Sequence, residues 1–201
     1  IIGKCIEVVE RDGLNETGIY RVCCVASDLQ KLRQEFDRNI RRAEELLTQK
    51  NVHVAANLLK LFFRELPEPL FTTVHYPKFI QAIKLTDLDN QRISLLQTFD
   101  LLHSDNKRIC FYLFDHLIRV SQYSNINKMH LDNLAVVFGP TLMRPAKLKL
   151  APTFSTGSSQ RSSGSSTQTD LDQMSSELQG SMYQCQVVLA SLKLRRDGIL
   201  K

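Results

Sequence analysis

The residues best suited to chemistry in this chain are basic. Arg21 closes the run Gly18-Ile19-Tyr20-Arg21, on a loop between a helical segment that ends at Asp12-Gly13 and a new helix with a start signal at Ser27. A guanidinium is planar, permanently charged and carries a fork of donors that matches phosphate oxygens. Loops are where a rigid scaffold presents such groups outward. Taken alone, a surface arginine is most often only a solvated charge. Lys60 and Arg64 are spaced to fall, with His53 and Asn57, on one polar stripe of a helix. Such a stripe by itself is usually the solvated face. The chain has no Gly-x-x-x-x-Gly-Lys-Ser/Thr stretch to cradle phosphates and no kinase loop. Its five histidines (His53, His75, His103, His116, His130) follow no metal-ligand or nucleophile-base spacing.

The elements that must position these residues read as helices. Ile2, Cys5, Ile6 and Val9 recur at helical spacing before Gly13. Ser27-Asp28-Leu29-Gln30 reads as a capping box with Ser27 as N-cap, and Leu29, Leu32 and Phe36 line one face. A shorter, more charged helix carries Ala43, Leu46 and Leu47. Over 52–66, Val52, Ala55, Ala56, Leu59, Phe62, Phe63 and Leu66 make a wide apolar face, so this helix should be half buried in a bundle. Pro67 and Pro69 end it. Pro77 opens a helix with Phe79, Ile80 and Ile83, and another runs over 88–102. Ser104 is placed to cap a helix bearing Ile109, Leu113, Phe114, Leu117 and Ile118. Leu131, Leu134, Ala135 and Phe138 mark a short core helix closed by Gly139-Pro140, with Asn133 off its apolar stripe. No convincing alternating strand is present, so the fold class is all-α.

The composition sets the frame. A length of 201 residues suffices for one domain with a sizeable core, and 43% hydrophobic with 23% charged residues is ordinary for a globular chain. The net charge of +5 favours acidic partners. No basic stripe is interleaved with aromatics, which disfavours nucleic acid, and an α-helical lipid- or nucleic-acid-binding domain would rest on that charge alone. No apolar run approaches the roughly 20 residues of a membrane span. Cys5, Cys23, Cys24, Cys110 and Cys185 are odd in number and fit neither a disulfide framework nor a zinc site, so free thiols in a reducing cytosol are expected. The chain opens on Ile1 inside a helical pattern, and reads as a piece of a longer protein with a truncated first helix. Between 151 and 169 Ser and Thr dominate, which predicts a disordered loop. The domain thus reads as 1–201, with a flexible insertion at 151–172 and a final helix at 173–196 that docks back through Met174, Leu178, Met182, Cys185, Val188, Leu189 and Leu192.

Three stretches in order are highly specific together: Gly18-Ile19-Tyr20-Arg21, Ala55-Ala56-Asn57-Leu58-Leu59-Lys60-Leu61-Phe62-Phe63-Arg64-Glu65-Leu66-Pro67-Glu68-Pro69-Leu70, and Asn133-Leu134-Ala135-Val136-Val137-Phe138-Gly139-Pro140-Thr141-Leu142. They resemble a Rho-family GTPase-activating (RhoGAP) domain, from Ile1 to about Pro145 and again from near Gln173. Tyr76-Pro77-Lys78-Phe79 and Asn127-Lys128-Met129 are most similar to its breakpoint-cluster-region type.

The resemblance implies a single multi-helix bundle that binds Rho-family small GTPases, Rac-type favoured, in the GTP state and speeds hydrolysis. It implies Arg21 as an arginine finger inserted in trans, Lys60 and Asn133 as GTPase contacts, and Arg64 as the residue holding the finger loop by hydrogen bonds. No cofactor or metal of its own is implied, since nucleotide and Mg belong to the partner; the domain is not itself an enzyme. It implies a cytoplasmic location, with recruitment to the inner face of the plasma membrane through modules outside this chain. Family members usually carry Ser-Gly where this chain has Cys23-Cys24, which would strain the loop if that position needs φ > 0. They commonly carry aspartate where Asn51 stands. The Cys23-Cys24 departure leaves a second reading: a catalytically weak module of the same fold that binds GTPases as a scaffold.

Overall fold

In the computed structural model, which describes residues 1–146 and 166–201 with side chains in the second stretch from Met174, the helix that carries Lys60 packs against three others. The ten helices among the described residues are α1 (Ile2–Asp12), α2 (Ala26–Arg38), α3 (Ile40–Gln49), α4 (Val52–Glu65), α5 (Tyr76–Ile83), α6 (Leu88–Asp100), α7 (Ser104–Gln122), α8 (Ser124–Asn127), α9 (Leu131–Leu142) and α10 (Ser166–Arg196). The all-α expectation holds, with no strand among the described residues. On α4 every residue from Val54 to Leu59 is buried, more than a half-buried helix would show. The reason is that α1, α2 and α9 pack on different sides of it. Asn51 caps its start, its side-chain oxygen accepting from the His53 amide at 2.8 Å. Asparagine serves there as well as the expected aspartate would. At its other end Pro67 and Pro69 offer no N–H groups. There the Arg144 guanidinium donates instead to the carbonyls of Arg64 and, at 2.6 Å, Leu66.

The rest of the bundle is joined mainly through α7, α9 and α10. Helix α10 lies along α9 and reaches α5 and α7, while α7 meets α1 and α9. Its C-terminal end is fixed to α7 by two bonds from Arg195 to Asp115, at 2.7 and 2.8 Å. Phe71, Phe79, Phe99 and Phe114 form a cluster of edge-to-face and tilted rings joining α5, α6 and α7, with centroids 4.9 to 6.3 Å apart.

Several boundaries differ from the sequence reading. Helix α2 starts at Ala26, with Val25 as N-cap and no side-chain cap bond, so Ser27 lies inside the first turn. Helix α7 is capped by His103, whose Nδ1 accepts from the Asp105 amide at 3.3 Å, and Ser104 is already helical. Gly139-Pro140 does not close α9, which runs on to Leu142 with Pro140 inside it. Proline cannot donate to the carbonyl of Val136 one turn back. The Cys185 thiol of α10 lies 3.9 Å from that oxygen and points a weak donor at it. Gly139 is buried where the helices touch: a Cβ there would stand 2.8 Å from the Cys185 backbone nitrogen. Helix α10 begins at Ser166, earlier than residue 173, and the remainder of the expected Ser/Thr-rich loop lies outside the described residues.

Candidate functional site

The loop from Gly13 to Val25 is held at nearly every turn. The Gly18 amide donates to the Asn127 carbonyl at 2.7 Å, and the amides of Arg21 and Val22 return to the Gly18 carbonyl at 2.8 and 2.9 Å. Two residues adopt the left-handed backbone: Gly18 at φ +73° and Tyr20 at φ +70°. Neither Cys23 nor Cys24 does, so the pair imposes no glycine-type strain on the loop. Arg21 is exposed, and its side chain makes no hydrogen bond among the described residues. It lies over Gly18, with Nη2 3.8 Å from where a Cβ at that position would stand.

The α4 stripe is the other half of the site, and it is not a solvated face. Asn57 is buried and donates to the Val22 carbonyl at 3.0 Å and to His53 O at 2.8 Å. The Lys60 ammonium donates to the Tyr20 carbonyl. His53 Nε2 is 3.3 Å from Glu16 Oε1. The carbonyls on both sides of Arg21 are therefore tied to one helix. Burial, and then the charge of Arg64, hold the Lys60 ammonium below the usual lysine range. Arg64, one turn on, is exposed and makes no side-chain hydrogen bond among the described residues. Among the described residues the side-chain bonds from α4 to the carbonyls beside Arg21 come from Lys60 and Asn57, and the side chain of Arg64 makes none.

A second support comes from the α8–α9 turn. Asn127 is fully buried and donates to Leu14 O at 2.8 Å and Val120 O at 2.9 Å, while its oxygen accepts from the Met129 amide at 2.8 Å. Asn133 donates to Lys128 O at 2.9 Å, bracing a residue at φ +62° in the same turn that holds Gly18. Asn133 thus lies close to the loop of Arg21, half exposed.

Behind the loop, the buried Tyr20 hydroxyl meets His116 Nε2 at 2.5 Å. His116 Nδ1 is 2.7 Å from Glu10 Oε1, which also accepts from Arg119 Nε at 2.8 Å. The proton positions follow from the partners. An ionised Glu10 takes Nδ1–H, which leaves Nε2 to accept from the hydroxyl. Burial holds His116 below the usual histidine range, against the pull of Glu10. For Glu10, burial pushes upward, but bonds from His116 and Arg119 win and hold it low.

The structure thus brings Arg21 and Lys60 together and sets Asn133 near them, while Arg64 is exposed one turn beyond Lys60 on α4. Sequence reasoning missed Asn57, Asn127 and the Tyr20–His116–Glu10 chain. His116 sits among Leu113, Phe114 and Leu117 on the core face of α7, and that placement of a polar ring was its available signal. No group of His, Cys, Asp or Glu among the described residues could hold a metal ion. All five cysteines are free, and burial pushes the Cys5 thiol up to about 12. No helix among the described residues is long and apolar enough to cross a membrane.

Comparison with known proteins agrees with this architecture. The human breakpoint cluster region protein is 44% identical over 147 residues, 73% of this chain but 12% of that protein. The active breakpoint cluster region-related protein of Xenopus tropicalis is 42% identical over 149 residues, 74% of this chain and 17% of that protein. The chain therefore spans well under a fifth of these relatives. Among solved structures, the BH domain from Graf, the GTPase regulator associated with focal adhesion kinase, superposes with a TM-score of 0.76 at 26% identity, over 100% of this chain and 93% of that one. Human Rho GTPase activating protein 15 gives 0.70 at 29% identity, over 96% and 79%. The RhoGAP domain model matches residues 1–147, and the chain belongs to the RhoGAP domain family.

Proposed function

We propose that this domain activates Rho-family small GTPases, Rac-type ones foremost, by binding their GTP state and inserting Arg21 beside the phosphates. The partner supplies nucleotide, Mg and water; this chain supplies charge and position. In phosphoryl transfer, negative charge spreads over the transferred oxygens, and a fixed guanidinium stabilises it without waiting for solvent to reorganise. An arginine delivered in trans is worth about 10³–10⁵ in rate for GTPases that lack one, or roughly 4 to 7 kcal/mol of barrier.

The observation that carries this reading is the bracketing of Arg21. Its flanking carbonyls are bonded to Lys60 and Asn57, while its guanidinium is left without a partner among the described residues. Fixed backbone with an uncommitted charge is what delivery to another molecule requires. Lys60 then acts as loop support, and the exposed Arg64 and the half-exposed Asn133 face the GTPase. The scaffold reading loses its main support, since neither Cys23 nor Cys24 adopts a positive φ and the pair adds no strain of that kind to the loop. The expected setting is the cytoplasm, with recruitment to the inner face of the plasma membrane by other modules. The test is GTP hydrolysis by a panel of Rho-, Rac- and related GTPases with and without the domain. Acceleration, largest for Rac-type members, is expected; none across the panel would end the proposal.

A further inference from the structure

We infer that Tyr20 and His116 are positioning residues for Arg21, acting through the buried hydrogen bond between them. This rests on the arginine-finger reading. Tyr20 directly precedes Arg21 and is 0% exposed, with its ring edge-on to Phe138 at a centroid distance of 5.1 Å. Its backbone sits at φ +70°, a region that non-glycine residues avoid because Cβ crowds the following carbonyl. That conformation persists only when its surroundings impose it. Here they grip it at both ends: Lys60 holds the carbonyl and His116 Nε2 holds the hydroxyl at 2.5 Å.

The hydroxyl is not needed to fill space, since phenylalanine would pack the same ring. What it adds is direction. The bond fixes the rotation of Tyr20, and through the left-handed backbone it fixes where the chain leaves toward Arg21. His116 is in turn held by Glu10 at 2.7 Å, and Glu10 by Arg119 at 2.8 Å, so the anchor runs across α7 and α1. With Glu10 ionised, each bond in the chain has one assignment of donor and acceptor: Arg119 and His116 Nδ1 donate to Glu10, and the Tyr20 hydroxyl donates to His116 Nε2. A finger whose base can rotate must find its place during each encounter, and that search lowers the rate without changing the surface that binds.

The experiment compares two states of a Rac-type GTPase: loaded with a non-hydrolysable GTP analogue, and loaded with GDP and aluminium fluoride as a transition-state mimic. Tyr20→Phe should leave affinity for the first within about twofold and weaken the second about tenfold, because only the mimic draws on the finger. In an Arg21→Ala background the same substitution should cost nothing further, and His116→Gln should repeat both results. Equal losses in both nucleotide states, or the same loss with and without Arg21, would reduce Tyr20 to a packing residue and overturn the inference. Should Tyr20→Phe fail to fold, the His116→Gln pair of titrations decides on the same criteria. If Arg21→Ala itself bound the mimic as tightly as the unmodified domain, the finger reading would fail first, and this inference with it.

Discussion

At the scale of single residues, the two cations on α4 have separable roles. Lys60 spends its ammonium on the Tyr20 carbonyl, and Arg64 makes no such commitment among the described residues. Lys60→Met keeps the aliphatic stem and removes the donor. It should cost about 1 to 2 kcal/mol of stability for a lost charged hydrogen bond, and lower the saturating hydrolysis rate more than the affinity. Arg64→Ala should do the reverse, lowering affinity with little change in stability. Titrations read for rate and half-saturation separately check both. His116 gives a second prediction. Its folded pKa lies below the unfolded 6.5, so below that pH the unfolded chain binds the proton more readily than the native one. Stability contributed by neutral His116 is present above about pH 6.5 and is lost as pH falls from there. Glu10, also lowered, adds a loss of the same sign below its unfolded 4.5. Denaturant unfolding should therefore show stability falling between pH 7 and 5.5, and His116→Gln should flatten that slope.

At the scale of elements, the closest joint is α9 on α10. Gly139→Ala would improve helix propensity by up to about 1 kcal/mol. But the new Cβ would meet backbone, Cys185 N at 2.8 Å and Cα at 2.9 Å, which cannot turn aside like a side chain. Overpacking of this kind costs about 1–3 kcal/mol, so the net effect should be a loss of stability in urea unfolding. The same joint shows where sequence reading reaches its limit. Gly-Pro has the look of a helix stop, yet here glycine is needed for contact and the orphaned Val136 carbonyl finds Cys185 from another helix. Such partners are far apart in the chain and leave no local mark. Ser27 and Ser104 failed differently: Val25 and His103 hold the cap positions, so each serine falls within the first helical turn. The periodic apolar faces, by contrast, placed most of the helices and the core, because burial repeats along the helix that it shapes. Arg21 and Lys60 were visible through motifs. Asn57 and Asn127 were not, since an amide becomes a clasp only when the fold brings a carbonyl to it.

At the scale of the whole molecule, the bundle serves to hold one loop. Helix α4 grips its C-terminal half, the α8–α9 turn grips Gly18 and Leu14, and α7 with α1 anchors Tyr20 from beneath. Rigid elements thus surround a guanidinium with no partner among the described residues, which suits a domain that completes another protein's active site. The net charge of +5 adds steering toward an acidic partner surface, and its effect on association should weaken as salt rises. On the arginine-finger reading, Arg21 contributes in the transition state and little before it. The most direct test is single-turnover GTP hydrolysis by a Rac-type GTPase at saturating Arg21→Ala domain, with affinity for the GTP-loaded partner measured alongside. The stimulated rate should fall about a thousandfold or more, with affinity changed by no more than a few fold. A folded Arg21→Ala domain that stimulates hydrolysis as well as the unmodified one would contradict the arginine-finger reading.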